Sequence, residues 1–161
     1  MNQAAHWLVV EGEADKKMIA RICKKLHIQS VDVRTATPEE LEVSGRGNGK
    51  AGVYQSLEDF IPDLFDADKP LKRLAVMVDA DQTMHGEGFT KTLAEITAKL
   101  AKFDYTLDVA QSTQASGLVF SVVAEPNLPA IRVWIMPNNQ DDGAIDSWVK
   151  CCYDPQQCHL L

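Results

Sequence analysis

The chain contains no run of about 18 apolar residues, the length a helix needs to cross a bilayer. It has little cysteine, four residues in 161, and three of them (Cys151, Cys152, Cys158) crowd toward the C-terminus. Adjacent cysteines at that spacing match no C-x₂-C zinc pattern, with or without His159. The first residues lack the basic and then apolar order of a signal peptide, so reduced thiols and a cytoplasmic location are expected. There is no surplus of basic charge either. Lys+Arg number 16 and Asp+Glu 23, a formal charge of −7, which excludes a non-specific nucleic-acid coat. No repeat, low-complexity tract or linker divides the chain, and a single domain over residues 1–161 is expected.

What is present alternates. Trp7-Leu8-Val9-Val10 is a short β-rich run that stops at Glu11-Gly12, as a buried strand would. Met18, Ile19, Ile22, Cys23 and Leu26 then fall at helical spacing, with Asp15 placed to cap the helix and lysines near its end. Residues 30–33 read as a second strand, and 54–65 as a helix after a glycine-rich stretch, 45–50. Leu74-Ala75-Val76-Met77-Val78 is the strongest strand signal and ends at Asp79-Ala80-Asp81. Phe89, Leu93, Ile96 and Leu100 mark a further helix. Residues 117–124 and 131–136 read as strands with no helix between them, hence a hairpin, and 144–152 as a last helix. Strand–helix alternation predicts an α/β fold, a mainly parallel Rossmann-like sheet flanked by helices, with that hairpin and helix added near the C-terminus. Trp7, Trp134 and Trp148 are expected in the core.

The candidate chemistry sits where strands end. Ligands of parallel α/β sheets bind outside the carboxyl ends of the strands, and there this chain places Glu11, Asp79 and Asp81. Residues i and i+2 of an extended segment share a side, so Asp79 and Asp81 are expected to face one point. Like charges that close repel unless a proton or cation lies between them. Carboxylate clusters of this kind suit Mg²⁺ or Mn²⁺. Lys50 follows Gly47-Asn48-Gly49, but a phosphate-binding P-loop needs glycine at 44 and Ser or Thr at 51, where Ser44 and Ala51 stand. The loop still offers Arg46 and Lys50 to a phosphate. His6, His27 and His85 show no partner pattern for a nucleophilic triad. Glu13 and His85 are expected in solvent.

Val10-Glu11-Gly12 with Asp15, Gly49-Lys50, and Val78-Asp79-Ala80-Asp81 together resemble the Toprim domain. That module is shared by topoisomerases, primases, recombination proteins and overcoming-lysogenisation-defect (OLD) nucleases. The likeness is greatest to the OLD-like and small bacterial forms and runs from about residue 7 to about 152. Pro137-Asn138-Asn139 and Gly143-Ala144-Ile145-Asp146 resemble a further motif, in which an acid follows the glycine on a helix. A Glu is more usual there than Asp146, which is one methylene shorter. The resemblance implies Mg²⁺- or Mn²⁺-dependent phosphodiester chemistry on nucleic acid, nuclease-like hydrolysis. It implies that Glu11 is a general acid or base or a metal ligand, that Lys50 is catalytic, and that Asp79 and Asp81 hold metal. Asp15 and Asp146 would add to the metal ligands, although Asp15 also reads as a helix cap. The same resemblance leaves room for a homodimer and for a separate ATPase subunit. It also admits a non-catalytic Toprim-like module that regulates or binds a partner. A receiver-type domain would need a lysine near a later strand end, and Met136-Pro137 supplies none.

Overall fold

The computed structural model describes residues 5–36 and 49–153. Within them the strands are β1 (His6–Val10), β2 (Asp32–Thr35), β3 (Arg73–Asp79), β4 (Thr106–Leu107), β5 (Leu118–Ser121) and β6 (Ile131–Met136). The helices are α1 (Glu13–Lys25), α2 (Gly49–Phe65), α3 (Phe89–Ala101) and α4 (Ile145–Tyr153). One 3-10 turn, Thr83–His85, lies between β3 and α3. The strands form one sheet in the order β2-β1-β3-β6-β5-β4. Pairings β1–β2, β1–β3 and β3–β6 are parallel, while β5 pairs antiparallel with β6 and β4 antiparallel with β5. The expected mainly parallel Rossmann-like α/β sheet flanked by helices is what forms. The hairpin over β5 and β6 is present too, and its second strand is also the parallel neighbour of β3.

The two sheet faces are covered unequally. On one face α2 and α3 lay Val53, Leu57, Ile61, Ile96 and Leu100, all fully buried, against Val9, Val76, Val78, Phe120, Val133 and Ile135. Trp7 joins this face and meets Phe60 edge-on, ring centroids 5.0 Å apart. On the other face a smaller cluster forms from Val10, Val33, Met77 and Met136. Ile19 and Cys23 of α1, Trp134, and Ile145 and Trp148 of α4 pack against it. All three tryptophans are therefore packed on the apolar clusters, as expected. Leu26, on the expected apolar stripe of α1, is 62% exposed because the helix ends there.

Several boundaries differ from the sequence reading. The second strand is Asp32–Thr35 and not 30–33. Helix α2 starts at Gly49 and not at 54, which puts Lys50 in its first turn. Strand β4, two residues long, has too little length to show a period. No helix among the described residues is long and apolar enough to cross a membrane.

Candidate functional site

The chain leaves β1 toward β2 and returns on the other side of β1 as β3. The ends of β1 and β3 therefore flank a topological switch point, the place where open α/β sheets bind ligands. Glu11 directly follows β1 and Asp79 closes β3. Glu11 Oε1 accepts a hydrogen bond from the Asp79 N–H at 2.7 Å. Asp79 Oδ1 in turn accepts from the Ile145 N–H at 2.9 Å. That donor opens α4, so the helix's N-terminal dipole end faces the Asp79 carboxylate.

Asp81 arrives by a different route from the one its spacing suggests. The chain is not extended there: Asp81 has φ of 62°, in the left-handed region that Asp tolerates better than most residues. Its N–H and C=O pair with Gly143, at 2.7 and 2.8 Å. This two-bond bridge ties the loop after β3 to the loop after β6. Lys50 Nζ then reaches Asp81 Oδ2 at 2.5 Å and lies 3.7 Å from Glu87 Oε2. Lys50 is largely buried, 14% exposed, while the Asp81 side chain is 46% exposed. Gly49, next to it, sits against Glu11: a Cβ there would lie 3.8 Å from Oε2. That is ordinary contact, and it is the φ of +61°, where a side chain would be strained, that suits glycine to the start of α2.

The electrostatics follow from burial. Desolvation pushes the Glu11 carboxyl up to about 7, with the Asp79 and Asp81 charges adding to it. The Asp79 N–H and Lys50 pull in the opposite direction. Desolvation also pushes Asp79 up to about 6, against the pull of the Ile145 N–H and Lys50. The neighbouring charges of Asp15 and Asp81 raise Asp79 further. Asp15 is itself raised by burial. The site thus holds acids that ionise less readily than in water. Tyr54, on α2, lines the same region, its phenol raised by burial and by Glu95.

The charges of Lys50 and Asp81 therefore act on both Glu11 and Asp79, and that of Asp15 acts on Asp79. Asp15 does what its position in α1 suggests: Oδ2 accepts from the Gly12 N–H at 3.0 Å, closing the helix N-terminus. Asp146 is not brought in. It faces outward at 70% exposure, 3.6 Å from Lys150, and α4 contributes its backbone N–H at Ile145 instead. Glu13 and His85 are exposed, as expected. Arg46 and the Cys158-His159 pair lie outside the described residues, and the structure gives no side-chain environment for Cys151 or Cys152. One oxygen of each central carboxylate (Glu11 Oε2, Asp79 Oδ2, Asp81 Oδ1) takes no hydrogen bond from a described residue. Among the described residues, no three His, Cys, Asp or Glu side chains stand close enough to share one ion.

A residue that shapes the site escaped the sequence reading. Asp142 accepts hydrogen bonds from the Thr83 hydroxyl and, through Oδ1, from the Phe89 N–H at 2.7 Å. It caps the first turn of α3 from 53 residues away and fastens the Asp81 loop a second time. Gly88 makes this possible, because a Cβ there would stand 2.7 Å from Thr83 Oγ1 and 2.8 Å from Asp142 Oδ1. The only sequence signal was the Asp142-Gly143 turn pair. Pro137-Asn138-Asn139 builds the same loop. Asn139, nearly buried, accepts from the Ile135 N–H at 2.8 Å and donates to the Gln114 carbonyl at 3.2 Å.

No curated protein and no solved structure matches the chain. A family model matches residues 5–161, nearly the whole sequence, and the chain belongs to that family, described as a protein of unknown function (DUF3226).

Proposed function

We propose that this protein carries out divalent-metal-dependent phosphodiester chemistry on nucleic acid, as a cytoplasmic Toprim nuclease-like hydrolase. The observation that supports this reading is the meeting of Glu11, Asp79, Asp81 and Lys50 at the β1/β3 switch point. The donor set is all carboxylate oxygen, which suits Mg²⁺ or Mn²⁺. Burial pushes Glu11 up to about 7 and Asp79 up to about 6, and a bound cation would favour their ionised forms. Glu11 and Asp79 would hold the ion, with Asp15 beside Asp79 and with Asp81 joining them once its carboxylate turns from Lys50, while Asp146 stays outside the site. A divalent ion bound there supplies charge stabilisation to phosphoryl oxygens and lowers the pKa of a bound water.

The chain's own groups have separable tasks. Glu11, raised to about 7 in the metal-free protein, is the general acid or base if it stays off the ion, and a metal ligand otherwise. Lys50, held in the first turn of α2, can pass its ammonium from Asp81 to a phosphate oxygen. The α4 N-terminus fixes the Asp79 carboxylate, and the Asp142 clip fixes the loop that carries Asp81. Nucleic acid is the proposed partner, with a homodimer and a separate ATPase subunit as further proposed assemblies.

The Lys50–Asp81 pair also favours a second reading, a non-catalytic Toprim-like regulatory or binding module. There a protein cation already satisfies Asp81 and no metal is needed. A Mn²⁺ titration followed by electron paramagnetic resonance separates the two. Saturable binding lost in Asp79→Ala and Asp81→Ala supports the enzyme. Absence of binding to a folded wild type supports the module.

A further inference from the structure

At the amino ends of the strands, opposite the carboxylates, the sheet opens into a cavity of about 570 Å³. It lies on the face that α1 and α4 cover. The strand register sets a row across that face: Val33, Leu8, Ala75, Arg132 and Val119. One pleat earlier, His6 is paired with Arg73. Side chains two residues apart on one strand share a face, so Arg73 stands diagonal to Arg132. His6, Arg73, Arg132 and Ser30 line the cavity with hydrogen-bond donors, and Leu8 and Ala75 give it an apolar floor.

Among the described residues, no Asp or Glu lines this cavity. Neither Arg73 nor Arg132 makes an ion pair with a described residue. Arg34 shows how this fold treats a structural arginine: it is paired with Asp32 at 2.8 Å and lies over the Trp7 ring. Two guanidiniums without a carboxylate partner among the described residues, beside an imidazole, form a forked donor set for a tetrahedral anion. In a chain of net charge −7 such a concentration of positive charge is against the general trend. The cavity is large enough for a small molecule and not just an ion.

We propose that this cavity is a binding site for a small phosphate monoester with an apolar body. The phosphate would lie between Arg73 and Arg132, and the body over Leu8 and Ala75. The site is independent of the phosphodiester reading, since it is at the other end of β1, about 15 Å away for a strand of this length. Its test is isothermal titration of the full chain with phenyl phosphate in metal-free buffer. The expected result is saturable binding of one equivalent, with phenol giving none. Arg73→Gln and Arg132→Gln should each weaken it at least tenfold while leaving the melting temperature of the free protein unchanged, as both residues are exposed. Lys50→Gln should leave the affinity as it is. No saturable binding to the wild type overturns the proposal. So does affinity that survives both arginine substitutions, or that is lost in Lys50→Gln, which would put the anion at the carboxylate end.

Discussion

At the residue scale, the chemistry of the site rests on carboxylates that are desolvated more than they are paired. Glu11 rises from 4.5 to about 7 and Asp79 from 3.8 to about 6, both chiefly through burial. The folded protein therefore binds protons more tightly than the unfolded chain, and the linkage has a definite sign. The stabilising contribution is complete below pH 3.8 to 4.5 and is lost as pH rises through about 6 and about 7. Metal-free protein should lose stability across that window. Glu11→Gln should flatten its share of the slope and gain about 1–2 kcal/mol at pH 8, after allowance for the solvent that still reaches the group. Chemical denaturation at pH 4.5, 6 and 8 in chelator measures this, and an unchanged slope in the variant contradicts it. Lys50 lowers both acids. Lys50→Gln should accordingly move the pH transition upward in the same experiment. Sequence spacing found these residues, because acids at strand ends are visible in the string. It did not find the backbone of Asp81, whose left-handed φ depends on a bridge to Gly143 formed only in the fold.

At the element scale, the site is held by two loops fastened to each other. The Asp81–Gly143 bridge and the Asp142 carboxylate join the segment after β3 to the segment after β6. Gly88→Ala should break this fastening, since the Cβ would meet Thr83 and Asp142 and the residue has φ of +111°. We expect a loss of about 1–3 kcal/mol in denaturant unfolding, from backbone strain and the displaced cap together. Asp142→Ala should raise amide exchange at Phe89 and through residues 81–88 while protection in β1 stays as it was. In the α2/α3 layer, Leu57→Ala should cost about 2–5 kcal/mol, because Leu57 is fully buried in the larger apolar cluster. Most elements were legible: the apolar run before Glu11, the run before Asp79 and the four-three-four spacing of Phe89, Leu93, Ile96 and Leu100 each mark an element that forms. The start of α2 was not, because glycine is first of all a breaker, and Gly49 begins the helix with a φ that other residues avoid. Neither was β4, which exists only as a partner for β5, nor the Asp142 clip, whose ends lie 59 residues apart along the chain.

At the scale of the whole molecule, the charged groups described at the two ends of the sheet differ in sign. The carboxyl ends of β1 and β3 gather acids around a single lysine, while the amino ends gather Arg73, Arg132 and His6 around a cavity. That division was hidden in the sequence, where the glycine-rich loop with Arg46 and Lys50 was the basic feature that stood out. Fold class follows from alternation and the candidate acids from the strand ends; the switch point needs the strand order, and the polarity of the sheet needs the register. The central proposal is that Glu11, Asp79 and Asp81 support metal-dependent phosphodiester cleavage. Its most direct test is a cleavage assay of the full chain on single- and double-stranded DNA and RNA, with Mg²⁺, Mn²⁺ or chelator. The account predicts strand scission that requires the divalent ion and falls at least a hundredfold in Glu11→Gln and Asp79→Ala proteins of native circular dichroism, an effect of about 3 kcal/mol on the barrier. Folded wild-type protein that cleaves none of these substrates with either ion, or variants that cleave as fast as the wild type, would contradict it.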